Sequence, residues 1–457
     1  MTVTERLADH VAALRFADLP LAVVAKTKGL VLDALGCALG GSQSALGRLL
    51  AEFARDASEG QHALIGFPWR TSLLEAAFAN AGLINALDYD DTSDIGHPGS
   101  TVVAAALAVG DLVGSSGQSL LTAVVAGQQA STRIARAIQP SWERYLQVHS
   151  IGCPQVFGAA AAAGVLLELD AERMADSFGI AGAFAPVAHA GKFGWEERRV
   201  SWVKDNVARA ADGGVRAALL ALRGCPGNRT ILDGDRGFWV MAGSDQFQPN
   251  HLVERLDRYD VMDLSFKPYP CCRWIHTTLD AVGEILEREQ LRADDIERVD
   301  IHTIAVLATS FTDPTPSTMV DAQFSVPYCV AVRLLGVPRV RWQDNAVVTN
   351  PEVLALARRV RVHLDPDAQS DYLRSGRLSW LIPTRVSISA GGRRVGAHAR
   401  VASGSPERPL SETALEEKFH EMADPVVGER RARDISEVVA KLDALDAVEH
   451  LTELLRT

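Results

Sequence analysis

Apolar residues in this chain recur at helical spacing over roughly the first 260 positions, alternate in the manner of strands after about Lys267, and return to helical spacing from Ser411 onward. A strand cannot satisfy a period of 3.6, nor a helix a period of two, so this order constrains the fold more than composition does. At 457 residues the chain also exceeds the roughly 250–300 residues that one apolar core supports. We therefore expect a mainly α protein: a large all-helical domain formed by both chain ends, residues 1–265 and 403–457, with an inserted smaller α+β lid domain at residues 266–402. A cleft between the two is the natural place for a small molecule.

Local signals fill in this outline. Ser72 and Glu75 have the spacing of a capping box, and the helix they start runs through Ile84 and Leu87 to deliver Asp88 at its end. Ser100 is placed to cap the next apolar run, which leaves Asp88 to Gly99 as a loop. Further helices are expected at 154–168, where Ala159 to Ala163 permits close packing, at 206–223, and at 351–362. Arg298 to Ile304 alternates like a strand, and 386–390 and 394–401 flank Gly391-Gly392 like a hairpin. Ile435, Val438, Val439, Leu442, Leu445, Val448, Leu451 and Leu455 form one apolar stripe.

A net charge of −11 argues against nucleic acid or an anionic membrane as partner, because phosphate binding needs a surplus of Lys and Arg. No uncharged stretch has the ~20 apolar residues of a bilayer span. The start, Met1 to Phe16, has no apolar signal core, and six cysteines form no regular framework, so a cytoplasmic protein is expected.

Five segments carry candidate chemistry. Asp88, Asp90, Asp91 and Asp94 share a short loop with His97, and a carboxylate beside an imidazole is a common proton-transfer pair. The plain alternative is a solvated turn. Asp90-Asp91-Thr92-Ser93-Asp94 also fits the D-D-x-x-D spacing that holds Mg²⁺ in prenyl-diphosphate enzymes, but that chemistry needs a second acidic motif, and none is found. His149 is either a hydrogen-bonded structural residue or a proton carrier and carboxylate partner. Lys204, at a helix start, is either solvated or aimed at an anion. Lys267-Pro268-Tyr269-Pro270 with Arg273 and His276 reads as a rigid linker or as a preorganised anion site. Cys271 and Cys272 there read as packing residues. Tyr328 opens a buried helix and could donate a hydrogen bond to a substrate carboxylate.

In this order the segments resemble the MmgE/PrpD family over nearly the whole chain. Leu87-Asp88-Tyr89-Asp90-Asp91-Thr92 with His97-Pro98 looks like the family's aspartate and histidine loop, and His149 with Gly158-Ala159-Ala160-Ala161 like its second histidine. Ser201-Trp202-Val203-Lys204, Lys267-Pro268-Tyr269-Pro270 with His276, and Phe324-Ser325-Val326-Pro327-Tyr328 are similar to its two lysine segments and its tyrosine segment. The chain departs from the family's methylcitrate dehydratases at Asp90, at Gly99-Ser100 after the His-Pro pair, and in Val207-Ala208-Arg209 beyond Lys204.

The resemblance implies a homodimeric enzyme, without metal or other cofactor, that moves a proton at carbon next to a carboxylate of a small di- or tricarboxylic acid. A 2-methylcitrate dehydratase-like hydro-lyase is the foremost expectation. A cis-aconitate-type decarboxylase and an iminodisuccinate-type epimerase are the alternatives, and a Mg²⁺-dependent prenyl-diphosphate enzyme or a non-catalytic carboxylate-binding protein stand further off. In this scheme His97 is the main acid/base and Asp88 its partner. His149 is a second proton carrier or carboxylate ligand, and Lys204 and Lys267 clamp carboxylates. Tyr328, His276, Arg273 and Tyr269 complete the substrate contacts.

Overall fold

A computed structural model describes residues 1–189, 197–202 and 205–457. The chain is mainly helical. Its first apolar core is built by α1 (Leu21–Ser42), α2 (Leu73–Asn85), α3 (Pro98–Val113), α4 (Gly117–Ala137), α5 (Gln155–Leu166) and α6 (Val207–Leu222). Small residues let these helices approach closely. Ala159 to Ala163 are all fully buried, and a Cβ on Gly158 would lie 2.9 Å from the Gly127 carbonyl oxygen, so α5 crosses α4 with backbone against backbone.

A second core gathers Val200 and apolar residues between Tyr269 and Ala390. It is built by α7 (His276–Glu289), β1 (Ile296–Thr303), α8 (Val326–Leu334), β2 (Val360–Leu364), α9 (Pro366–Arg374), β3 (Leu381–Ala390) and β4 (Arg393–Val401). The strands lie in the order β2-β1-β3-β4, with β1 and β2 parallel and the other pairs antiparallel. On β3, Ile382, Thr384, Val386, Ile388 and Ala390 alternate inward, and α7 packs on β3 and β4. After the sheet, α10 (Glu412–Val427) returns to the first core and packs against α1.

Several local expectations change. The helix expected over 351–362 ends at Ala357, because Val360, Val362 and Leu364 alternate and pair with β1, Val299 opposite Val360 and Ile301 opposite Val362. Ser72 occupies the helix start without capping it; instead its Oγ accepts from Ser58 Oγ at 2.7 Å. Pro98, not Thr101, begins α3, its fixed φ suiting the first turn, and Ser100 lies inside the helix with its hydroxyl donated to the His97 carbonyl at 2.8 Å. The stripe from Ile435 to Leu455 divides into helices Glu429–Ala440 and Glu449–Leu454 around a 3₁₀ turn at Leu442–Ala444.

Candidate active site

The helix α2 stops at Asn85, and the loop that follows would leave backbone carbonyls exposed in an apolar interior. Side chains from the second core satisfy them in sequence. Gln323 donates to the Ala86 carbonyl at 2.9 Å, Gln343 to Leu87 at 2.6 Å, Lys267 to Asp88 at 2.7 Å and Ser379 to Ser93 at 3.0 Å. Thr92 and Ser265 exchange backbone hydrogen bonds at 2.9 and 2.8 Å. Asp88 itself adopts φ +50°, a left-handed conformation that costs a non-glycine residue energy unless its surroundings fix it. The loop expected as a possible solvated turn is buried: Asp88, Asp90 and Asp91 are each 1% exposed or less.

This burial places four carboxylates in different environments. Asp94 pairs with Arg136 at 2.9 Å. Asp88 accepts from the fully buried Lys267 ammonium at 2.8 Å. Asp90 accepts from the Asn85 amide at 3.2 and 3.3 Å and lies 3.3 Å from His97 Nδ1. Asp91 accepts the Gly99 N–H at 3.1 Å; burial, then the nearby charges of Asp90 and Asp33, push its carboxyl up to about 7.

His97 is the centre of the site. Its Nδ1 faces only acceptors, the Asp91 carbonyl at 3.1 Å and Asp90 Oδ2, so that nitrogen carries hydrogen. Its Nε2 faces Asp88 Oδ1 at 3.6 Å and Asp205 Oδ2 at 3.7 Å, near enough to feel both charges yet beyond a hydrogen bond. Burial opposes a charged ring, but Asp90 and Asp205 outweigh burial and the imidazole pKa is raised, against a smaller opposing push from Lys267. Nε2 is therefore a protonatable nitrogen directed at a cleft of about 870 Å³, measured to its open mouth, whose wall includes Asp88, Thr92, His97, Ser150, Asp205 and Arg273.

Arg273 is among the residues that line the same cleft. Its Nη1 donates to the Ser403 carbonyl at 2.7 Å and to His276 Nδ1 at 3.1 Å, while Nε and Nη2 are buried and find no acceptor among the described residues. Burial draws the guanidinium down to about 10. His276 is a neighbour behind it: burial, then Arg273, hold the imidazole far below its ordinary range, so neutral Nδ1 accepts from Arg273 and Nε2 donates to the Cys271 carbonyl at 3.2 Å.

The other sequence candidates lie elsewhere. His149 is buried beside the cleft, its backbone paired with His189 at 2.7 Å in both directions and its ring against the edge of Tyr145 at 4.9 Å. Tyr269 donates to Asp280 at 3.2 Å, and Tyr328 donates to the Trp342 carbonyl; neither lines the cleft. Cys272 does line it, but burial pushes its thiol well up, consistent with a packing role and not a nucleophile. Lys204 lies outside the described residues.

Sequence reading missed Asp205, although it adjoins Lys204, and it missed an aromatic wall of Trp142, Tyr145, Trp274 and Tyr372. Only the i, i+3 spacing of Trp142 and Tyr145 hinted at that wall. Asp88, Asp90 and His97 offer donor atoms within 4.8 Å of one another, so they form the one described set able to hold a small cation. That set differs from the D-D-x-x-D spacing: Asp94 is turned to Arg136, and the Lys267 ammonium already occupies a place beside Asp88.

Such a buried imidazole, flanked by carboxylates, can move a proton. The chain is similar to known enzymes over its whole length. The chain is 25% identical to the cis-aconitate decarboxylase of Mus musculus over 476 residues, covering 100% of this chain and 93% of the relative, and 25% identical to that of Homo sapiens, covering 95% of it. It is 24% identical to the enzyme of that name from Aspergillus terreus, covering 99% of this chain and 96% of the relative. Family models match in both halves, the MmgE/PrpD N-terminal domain at residues 5–250 and the C-terminal domain at 269–444. The chain belongs to the MmgE/PrpD family.

Proposed function

We propose that the protein is a decarboxylating lyase acting on a small carboxylic acid with more than one carboxylate, and that His97 is its general acid. The single observation that carries this reading is the His97 ring: Nδ1–H is fixed by the Asp91 carbonyl and Asp90, the ring pKa is raised, and Nε2 is directed at the cleft. In the proposed reaction the C–C bond to one carboxylate breaks, CO₂ leaves, and the electron pair remains on carbon. The imidazolium Nε2–H is transferred to that carbon, and solvent reprotonates the ring.

Arg273 holds a remaining carboxylate and stabilises the charge that develops next to it, with neutral His276 positioning the guanidinium. Lys267 and Asp88 fix the loop that carries His97. In this scheme His149 remains a second proton carrier, Lys204 a further carboxylate clamp, and Tyr328 and Tyr269 support the wall from behind. Decarboxylation needs an acid at the reacting carbon, whereas dehydration and epimerisation first need a base there. A ring whose carboxylate neighbours favour the imidazolium suits the former, and the relatives named as decarboxylases support the same choice.

The test is CO₂ release from a panel of unsaturated di- and tricarboxylic acids that includes cis-aconitate. We expect His97→Ala to lose ~10²–10⁴-fold in kcat on the accepted acid. Because the acid form is the active one, kcat falls as pH rises through the raised His97 pKa, and Asp90→Asn moves that fall to lower pH. Loss of water without CO₂, or a full rate in His97→Ala, would overturn the reading.

A further inference from the structure

One side-chain amide joins two segments that meet at the cleft. Gln343 follows the 3₁₀ turn at Arg339–Arg341, and its Nε2 donates to the Leu87 carbonyl at 2.6 Å and to the Pro270 carbonyl at 2.9 Å. Its Oε1 accepts from Gln323 Nε2 at 2.9 Å, and that same nitrogen also donates to the Ala86 carbonyl at 2.9 Å. Each primary amide has two N–H donors, so all four are used, three on backbone carbonyls and one on the other glutamine. A carbonyl beyond a helix end needs only one donor, which water or any polar side chain can supply. A single nitrogen that holds one carbonyl from each of two segments does more, because it fixes their separation.

Both segments reach the cleft. Leu87 precedes Asp88, whose Oδ1 lies 3.6 Å from His97 Nε2, and Pro270 is followed by Cys271, Cys272 and Arg273, of which the last two line the cleft. The Cys272 N–H donates to the Gln323 carbonyl at 3.0 Å, so this second segment is tied to both glutamines. Gln343 is itself held in place through its neighbour. Trp342 is 2% exposed, its indole N–H donates to the Val337 carbonyl at 2.9 Å, its carbonyl accepts the Tyr328 hydroxyl, and its ring stacks on Tyr269 at 6.0 Å. A polar side chain fixed at its backbone and at its tip transmits position to the groups it holds.

We infer that Gln343 is a positioning residue: by bridging Leu87 and Pro270 it sets the loop that carries His97 against the Cys272–Arg273 wall of the cleft, with Gln323 orienting its amide. The inference rests on the reading of His97 as the acid. A catalytic group displaced by ~1 Å can cost on the order of 10²-fold in rate, so Gln343→Leu, which has no donor, should lower kcat on the accepted acid at least about tenfold while KM changes less than about threefold. Gln343→Glu puts an oxygen where the amide nitrogen stands. Its carboxylate has no hydrogen to donate, and its protonated form regains one O–H. The kcat of this variant relative to the parent should therefore rise as pH falls, whereas the ratio for Gln343→Leu stays flat.

Rates are measured on the full chain well below each variant's melting midpoint, so that a loss of stability alone leaves kcat at the parent value. Hydrogen exchange of the resting protein needs no substrate: amides of residues 86–97 and of 269–274 should both exchange about tenfold faster in Gln343→Leu, while those of α5 keep the parent's protection. Parent kcat in Gln343→Leu, faster exchange in only one of the two segments or in neither, or a Gln343→Glu ratio that does not change with pH overturns the inference. The two readings fail separately. Parent-like exchange in Gln343→Leu together with His97-dependent CO₂ release removes the positioning role alone. Should the parent release water and not CO₂, the decarboxylase reading falls alone, and the same variants are scored on that rate.

Discussion

Asp91 stands one residue from Asp90 in the sequence, yet the two carboxylates do different work. Asp90 faces an imidazole and an amide, while Asp91 has one backbone N–H and two nearby negative charges. The sequence marked the loop as unusual by its crowd of acids, and two of the residues it singled out, His97 and Arg273, line the cleft. It could not divide the acids by role, because their partners Lys267, Arg136 and Asp33 are brought to the loop only by tertiary folding. Asp91 gives a test with a definite sign. Raised from 3.8 to about 7, it binds its proton more tightly in the folded than in the unfolded state. Its contribution to stability is therefore complete below pH 3.8 and is lost as pH rises to 7, a loss of roughly 4 kcal/mol. In Asp91→Asn the amide oxygen can still accept from Gly99, and no ionisation remains. The stability of this variant relative to the parent, from urea midpoints, should rise by up to that amount between pH 4 and pH 7. A difference that stays flat with pH would show that Asp91 is ionised throughout.

At the scale of elements, periodicity found the helices of the first core and the hairpin of β3 and β4, because burial on one face leaves its imprint on sequence. It overran at residues 358–362, where two alternating apolar residues, Val360 and Val362, were absorbed into a helix, and the parallel partner that makes them a strand lies about 60 positions earlier in β1. The return of α10 to the first core was legible in its helical period, but not the ion pair that secures it. Lys418 on α10 donates to Asp33 on α1 at 2.6 Å and to the Tyr89 carbonyl at 2.7 Å, and its ammonium lies 4.1 Å from the Tyr89 ring centre. Both charged side chains are buried, so removing one leaves the other without compensation. We expect Lys418→Met to lower stability by about 3–5 kcal/mol, and Lys418→Met with Asp33→Leu to recover most of it. Equal loss in the single and double variants would show that the pair matters as volume and not as charge. Since Lys418 also holds the loop carrying His97, the single variant should lose activity as well.

For the molecule as a whole, the cleft is lined by His97, Arg273 and four rings, of which Trp274 and Tyr372 belong to the second apolar core and Trp142 and Tyr145 pack against it. Fold class followed from the order of periodicities, whereas the aromatic wall did not, since Trp142, Trp274 and Tyr372 have no shared pattern until the two cores are assembled. The net charge of −11 then sets how an anionic substrate approaches. Arg273 is buried, and the carboxylates around the cleft have the same sign as the ligand, so the long-range field repels what the local site binds. Salt screens that repulsion: the Debye length falls from about 30 Å at 0.01 M to about 8 Å at 0.15 M, while the contact with Arg273 lies inside both lengths and is little affected. Across that range kcat/KM on the accepted acid should therefore rise, about threefold, with kcat unchanged because the bound state no longer feels the distant field. A kcat/KM that falls with added salt would mean that the residues around the mouth attract the substrate, and that the local positive charge extends well beyond Arg273.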